Sequence, residues 1–401
     1  FIQASFLADL FFRKYIQKVA NLETKLITLS SILGASILAT FVNPNFIKGA
    51  LYPFTVFNNY GVTITENKTI FALQEIKFVN PDFIFYYLAA FILAISIYVS
   101  FFRTKFSLKN LLLTLLGLAL ATQSVRGFPY LLLISLPYVL LNFNYVKTNV
   151  WVKTTNIIVV VLILFEALFY LTGTYYASTY RTWTPQLVFT EDAKPAMDFV
   201  IAQKLPEQIF NNFNIGSYIF YRGYPDYKVS VDGRPEAYPA LYFTEEYLPV
   251  LDDYAKFQEL EKEKGIKTVI FSIMDQNKET INFFQAITKD PEWKIVFLDQ
   301  FMIVLVKTDV QQQLHLQAID LSKLSVNNYN YPNYDAYTNM STFLFNAQHL
   351  PQAKVFTQKA LELNPNSPAA HKSMAFILYF ENPRDKRVKE HQLKGESSLY
   401  W

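Results

Sequence analysis

The chain has no cysteine, which excludes disulfides, thiolate metal sites and cysteine nucleophiles together. Histidine is scarce: His315, His349, His371 and His391 all fall in the last quarter, with no metal-ligand spacing. Neither sign of charge dominates. Thirty-six Lys and Arg against 33 Asp and Glu give +3, too balanced for a nucleic-acid partner, whose affinity comes from a basic face. Charged residues make up 17%, whereas 52% are hydrophobic, with 37 Phe and 27 Tyr. The apolar residues are unevenly placed. Long apolar runs lie before residue 175 and most acidic residues after it, which argues against both a disordered chain and a purely soluble enzyme. Phe1 opens inside an apolar run rather than at a Met, so the chain reads as a piece of a longer protein.

Five apolar segments approach the roughly 20 residues that a bilayer-crossing helix needs: Leu26–Val42, Phe83–Phe102, Leu108–Ser124, Phe128–Phe143 and Thr155–Gly173. Phe1–Ile16 reads as the end of a sixth, and the fourth, short and containing Pro137, reads as tilted, kinked or only partly inserted. Basic clusters at Arg13–Lys25, Arg103–Lys109 and Lys147–Lys153 occupy alternate loops, so one topology makes all of them cytoplasmic. The expectation is a multi-pass protein of the cell membrane, in contact with the lipid bilayer, whose C-terminal half is extracytoplasmic. Glu166 lies inside the fifth span, where a carboxylate is costly, and reads either as a functional acid or as an interfacial or neutral residue. Arg126, in the turn between the third and fourth spans, suits either snorkelling to headgroups or a bidentate phosphate contact.

Beyond Gly173 strands and helices alternate. Helices are predicted at Ala193–Lys204, about Thr244–Lys264 (broken by Pro249) and Lys278–Thr288, with a helical turn at Ile215–Tyr221. Strands are predicted at Gln208–Asn212, Lys228–Val231 and Lys267–Ser272, and a hairpin at Trp293–Asp299 and Met302–Lys307. This pattern implies a small parallel or mixed sheet covered by helices. Tyr337–Pro365 fits a tetratricopeptide (TPR) pattern, carried by KALELNP, and His371–Phe380 begins a second, degenerate unit. The predicted fold is therefore an α-helical membrane bundle over 1–175, about five spans plus a truncated one. A small extracytoplasmic α/β domain follows over 176–310, and a TPR-like helical segment over 318–401.

Four segments resemble the C-terminal half of bacterial GT-C-type membrane glycosyltransferases, over about residues 26–306. They are Asn43-Pro44 with Leu51-Tyr52-Pro53; Leu73-Gln74-Glu75-Ile76 with Asn80-Pro81-Asp82-Phe83; Val125-Arg126-Gly127-Phe128-Pro129; and Ile209–Tyr221 with Pro225 and Val231-Asp232-Gly233-Arg234. The last resembles the family's "N-x-x-x-G-G-Y-L…P…V-x-x-D-G-R" core, with Ile215 in place of the first paired glycine. The resemblance implies transfer of a sugar from a polyprenyl-phosphate donor to an acceptor on the outer face. Its catalytic carboxylate loop would lie upstream of Phe1. The chain itself then carries no cofactor, and a divalent metal would belong with that upstream loop. On this basis the candidate substrate-binding residues are Arg126, Glu75, Asn211, Asn212, Asp232 and Arg234.

Each candidate has a plainer reading. Asp232-Gly233-Arg234 suits a sharp turn in which Arg234 pairs with Glu236 or Asp232. Asn211, Asn212 and Asn214 suit caps of the helical turn, and Glu75 a solvated or salt-bridged carboxylate. Asn67-Lys68-Thr69 fits a glycosylation sequon, too short a match to assign. Two alternatives to sugar transfer stand: a non-catalytic scaffold displaying the α/β domain and TPR-like helices to a protein partner, and a transporter, for which paired intramembrane polar residues are missing.

Overall fold

The computed structural model describes residues 1–55, 67–75, 83–102, 107–143, 192–239, 241–331 and 333–396, with isolated positions between 161 and 172. The predicted fifth span, Glu166 and the basic cluster at Lys147–Lys153 lie largely outside the described residues. Two compact units emerge, 1–59 with 63–167 and 60–62 with 168–401.

The first unit is helical: α1 Ile2–Phe11, α2 Glu23–Ala39, α3 Phe46–Thr55, α4 Ile70–Glu75, α5 Phe83–Phe102, α6 Leu108–Gln123 and α7 Phe128–Phe143. α1 packs on α6, where the buried Asp9 carboxylate accepts from the Lys109 amide at 3.1 Å and the Lys109 ammonium lies 4.6 Å from the Phe6 ring. Among the described residues, no helix is long and apolar enough to cross a membrane. This finding corrects the predicted membrane bundle, and with it the multi-pass localisation and the extracytoplasmic assignment of the C-terminal half. The shortfall has a local cause. α2 stops after 17 residues because Thr40–Val42 tighten into a turn, and the Asn43 amide donates to the carbonyls of Thr40 (2.8 Å) and Phe46 (3.0 Å). At 1.5 Å per residue such a helix falls short of a core about 30 Å thick. α6 and α7 have 16 residues each, and the side chains of α5 are described only over 86–98. Large apolar side chains nevertheless stay exposed on this unit, among them Leu38, Phe91 and Leu133.

The second unit is built on a five-stranded mixed sheet. Its strands are β1 Gln208–Asn211, β2 Lys228–Val229, β3 Thr268–Ser272, β4 Trp293–Leu298 and β5 Met302–Lys307, in the order β2-β1-β3-β5-β4. β2 and β3 flank β1 in parallel, while β5 runs antiparallel to both β3 and β4. Both faces are covered, and successive strand residues serve opposite layers, as the two-residue period of a strand requires. Phe210, Val269, Phe271, Ile303 and Leu305 enter one core, against Phe257 and Phe283. Ile209, Ile270, Val304 and Val306 enter the other, against Met197 and Val200.

The flanking helices are α8 Lys194–Ala202, α9 Phe213–Gly223, α10 Leu248–Asp252, α11 Tyr254–Lys264, α12 Lys278–Ile287 and α13 Thr308–Gln313. The helical stretch near 250 breaks at Asp253, not at Pro249. Pro249 follows the π-helical stretch Tyr242–Tyr247 and lies in the first turn of α10 without interrupting it, while Asp253 is extended and caps α11 by accepting from the Ala255 amide at 3.1 Å. α11 ends at Gly265, whose φ of 66° is the left-handed conformation that glycine adopts without strain.

Two antiparallel helix pairs follow: α14 Tyr334–Asn346 with α15 Leu350–Leu363, and α16 Pro368–Glu381 with α17 Lys386–Glu396. Ala353 and Ala360 are fully buried where α15 meets α14, and the Ser341 hydroxyl bridges to Thr357 at 2.5 Å and donates to the Ala353 carbonyl at 2.9 Å. Phe343 of α14 meets Phe284 of α12 edge-on at 5.3 Å, so these helices share the core of the sheet's first layer.

Candidate functional site

Four of the six predicted residues come together in the second unit, where the parallel strands end. β1 finishes at Asn211 and the chain enters α9 at Asn212, its N-cap by backbone conformation. Neither asparagine side chain caps the helix. The Asn211 amide donates to the Val231 carbonyl at 2.8 Å and its oxygen accepts from the Ser230 amide at 3.0 Å, stitching β1 to the strand leaving β2. The Asn212 oxygen accepts from the Ser272 amide at 3.1 Å, and its amide donates to the Asp275 carboxylate at 3.0 Å, tying β1 to the end of β3. Both are fully buried. They hold loops in place and have no contact to offer a sugar hydroxyl.

The loop after β2 is pressed onto α9. A Cβ at Gly216 would overlap the Val231 carbonyl oxygen, so only glycine lets the helix approach this closely. Ile215 is partly buried against the second core layer. At the next residue, the Ser217 hydroxyl accepts from the Gly233 amide at 2.9 Å.

Asp232 and Arg234 form a closed clamp. One Asp232 oxygen accepts from the Arg234 amide at 2.9 Å and from Nε at 3.1 Å, and the other from the guanidinium at 2.5 Å. The carboxylate is nearly buried, whereas the Arg234 side chain stays 56% exposed and lies over the Phe220 ring at 5.1 Å. Phe220 in turn meets Tyr224, an exposed residue, at 5.3 Å. Burial opposes ionisation of Asp232, but the Arg234 guanidinium and amide outweigh it and hold the carboxyl below the ordinary carboxylate range. Burial, then the Asp232 charge, pushes the neighbouring Tyr238 hydroxyl up to about 12.

The other two predicted residues lie in the first unit. α4 packs beside the short turn Val125–Gly127 between α6 and α7. There Ile70 and Leu73 bury against Tyr86 and Val125, the Val125 amide donates to the Lys68 carbonyl at 3.1 Å, and the Tyr86 hydroxyl donates to the Val125 carbonyl at 3.3 Å. Glu75 ends α4 and Arg126 is exposed on the turn, so the fold brings their segments together; the Glu75 side chain lies outside the described atoms.

Sequence reasoning missed two clusters. Glu261 on α11 and Lys307 on β5 pair at 2.5 Å, Trp293 Nε1 donates to the second Glu261 oxygen at 3.1 Å, and Glu292 joins Lys307 at 2.9 Å. His371 and His391 meet through their Nδ1 atoms at 2.8 Å, although 20 residues separate them. Neither spacing is a recognisable motif, because strand order and helix pairing create both. Among the described residues, no group of three or more His, Asp or Glu side chains gathers as metal ligands. Two clefts of about 510 and 530 Å³ lie around Glu261–Asp309 and Val326–Glu362, and neither includes any of the six predicted residues.

The clamp is suited to binding rather than to proton transfer, since the Asp232 carboxylate is already committed to Arg234. A guanidinium held on one edge by a carboxylate is fixed in place as a partly exposed positive charge, and the aromatic ring beneath it adds an apolar surface. Compared with protein-family models, curated proteins and solved structures, the chain matches none.

Proposed function

We propose that the chain serves sugar transfer from a polyprenyl-phosphate-linked donor, with Arg234, Phe220 and Tyr224 as a surface that holds the donor's phosphate and sugar. The observation that carries this reading is the clamp itself: a half-exposed guanidinium, fixed by a buried carboxylate, lying on an aromatic ring. The resemblance in Val231–Arg234, which includes the same two residues, also supports it. Charge-assisted contacts are worth about 1.5–3 kcal/mol, so Arg234→Ala is expected to weaken binding of a short-chain polyprenyl-phosphate hexose by about 10–100-fold in calorimetry. Arg234→Lys, which keeps the charge but loses the planar fork, should fall between the two. Absence of binding to the unaltered chain, or equal binding by Arg234→Ala, refutes the proposal.

A second reading, an interaction scaffold, is favoured by a different observation. Phe376, Tyr379 and Phe380 of α16 are half exposed or more, and Phe345 of α14 meets Phe376 at 6.4 Å and Phe380 at 5.2 Å, giving one aromatic face across two helix pairs. Such a face suits an apolar peptide. A Phe376→Ser, Phe380→Ser double variant that loses a captured peptide while keeping donor binding would assign the two surfaces to separate tasks.

A further inference from the structure

α17 carries little apolar surface. Its buried large side chain is Val388, packed with Met374, Leu378 and Leu361. The backbone at Gly395 approaches Lys372 closely, and most other side chains of the helix are exposed and charged. Against this sparse packing stands a pair of imidazoles. His371 is 5% exposed, its Nε2 lies 2.9 Å from the Pro365 carbonyl oxygen, and its Nδ1 lies 2.8 Å from Nδ1 of His391.

These distances fix where the protons sit. A carbonyl oxygen only accepts, so His371 Nε2 carries hydrogen, and neutral His371 therefore presents a lone pair at Nδ1. The hydrogen in the contact between the rings then belongs to His391, which donates from Nδ1 and leaves its Nε2 bare. A first added proton goes to His391 Nε2 and leaves that bond in place, now charge-assisted. A second proton must go to His371 Nδ1. It sets N–H against N–H and places two positive charges side by side in a nearly buried contact.

We propose that His371 and His391 form a proton-gated latch, which keeps α17 on α16 while the pair holds at most one extra proton and releases it when both rings are charged. Of the charges around the pair, Glu390 favours an added proton, whereas Lys394 and Arg387 oppose it. On α17, Glu390 is tied to Lys394 at 2.8 Å and Arg387 to Asp385 at 2.6 Å. On α16, Lys372 adds positive charge and Glu381 is tied to Lys354 of α15, while Lys359 and Glu362 of α15 pair with each other. Burial, and next the neighbouring His371, lower the His391 pKa. For His391 taken alone, a folded value below the unfolded one, about 6.5, gives stability that is present above that value and lost as pH falls through the folded value; release of α17 needs the second proton, on His371, as well.

Hydrogen exchange of the full chain tests the latch. Between about pH 7.5 and pH 5, the amides of Lys386–Glu396 are expected to lose about tenfold in protection relative to those of β3. His391→Asn keeps an N–H donor in place of Nδ1 and cannot be charged, so its α17 should stay protected at about pH 5. Loss of protection in His391→Asn equal to that of the unaltered chain, or no loss in the unaltered chain, overturns the proposal. Should the variant fail to fold, the unaltered chain still decides. With ¹⁵N-labelled histidine near neutral pH, His371 should carry hydrogen at Nε2 and none at Nδ1. The reverse tautomer overturns the latch.

Discussion

At the scale of single residues, the positions under most constraint are those where a polar or backbone atom has one possible partner. Lys307 is 15% exposed and Glu261 4%, so removing the ammonium leaves a buried carboxylate with Trp293 Nε1 as its remaining donor. Lys307→Met is expected to cost about 3–5 kcal/mol in urea unfolding at neutral pH. Burial acts to lower the Lys307 pKa, but the bonds to Glu261 and Glu292 outweigh it and raise the value. Its contribution is therefore complete below the ordinary lysine value and disappears as pH rises through the folded one. Asp232 runs the other way: its depressed value gives stability that is present above the usual carboxylate range and lost as pH falls through the folded value. Gly216→Ala forces α9 away from the Val231 carbonyl and should cost about 1–3 kcal/mol, read as a lower urea midpoint at unchanged slope.

At the scale of elements, ends matter more than middles. Ser367 caps α16 by accepting from the Ala370 amide at 3.2 Å, and Ser367→Ala should lower stability by about 1 kcal/mol. Gly265→Ala should cost about the same, because its φ of 66° is the left-handed conformation. Thermal unfolding of each variant checks both. Several of these ends were legible in the sequence, since the short unbroken apolar runs over Thr268–Ser272 and Met302–Lys307 mark strands buried on both faces and Gly265 stops a charged helix. Two elements ran against the reading. The helical turn expected at Ile215–Tyr221 extends over Phe213–Gly223, because the close fit at Gly216 lets the whole helix lie on the loop. The strand expected to reach Val231 stops at Val229, because the Asn211 side chain takes over the Ser230 and Val231 backbone groups.

At the scale of the whole molecule, the sheet unit owns two core layers, and the helix pairs extend the first of them. Residues 192–396 expressed alone should therefore unfold in one cooperative step with mixed helix and strand dichroism. Separate transitions for the sheet and for Tyr334–Glu396 would show that the contact of Phe284 with Phe343 does not couple them. The first unit presents a different balance. Its described helices leave large apolar side chains exposed, and apolar surface left exposed in this way marks places of association.

The sequence by itself determined composition and local rhythm. It set the absence of thiol chemistry, the division between an apolar first part and a mixed second part, the short apolar strand runs and the turn at Asp232-Gly233-Arg234. Only the tertiary structure decided how far each helix runs and which side chains are spent on structure. An apolar run states what a segment avoids, not where its hydrogen bonds end, so Asn43 could close α2 early without any sign in the hydropathy. For the same reason Asn211 and Asn212 looked available until the ends of β2 and β3 arrived to claim them. His371 and His391 became a pair only when two helices folded back on each other, because contact between residues far apart in the chain is a property of packing.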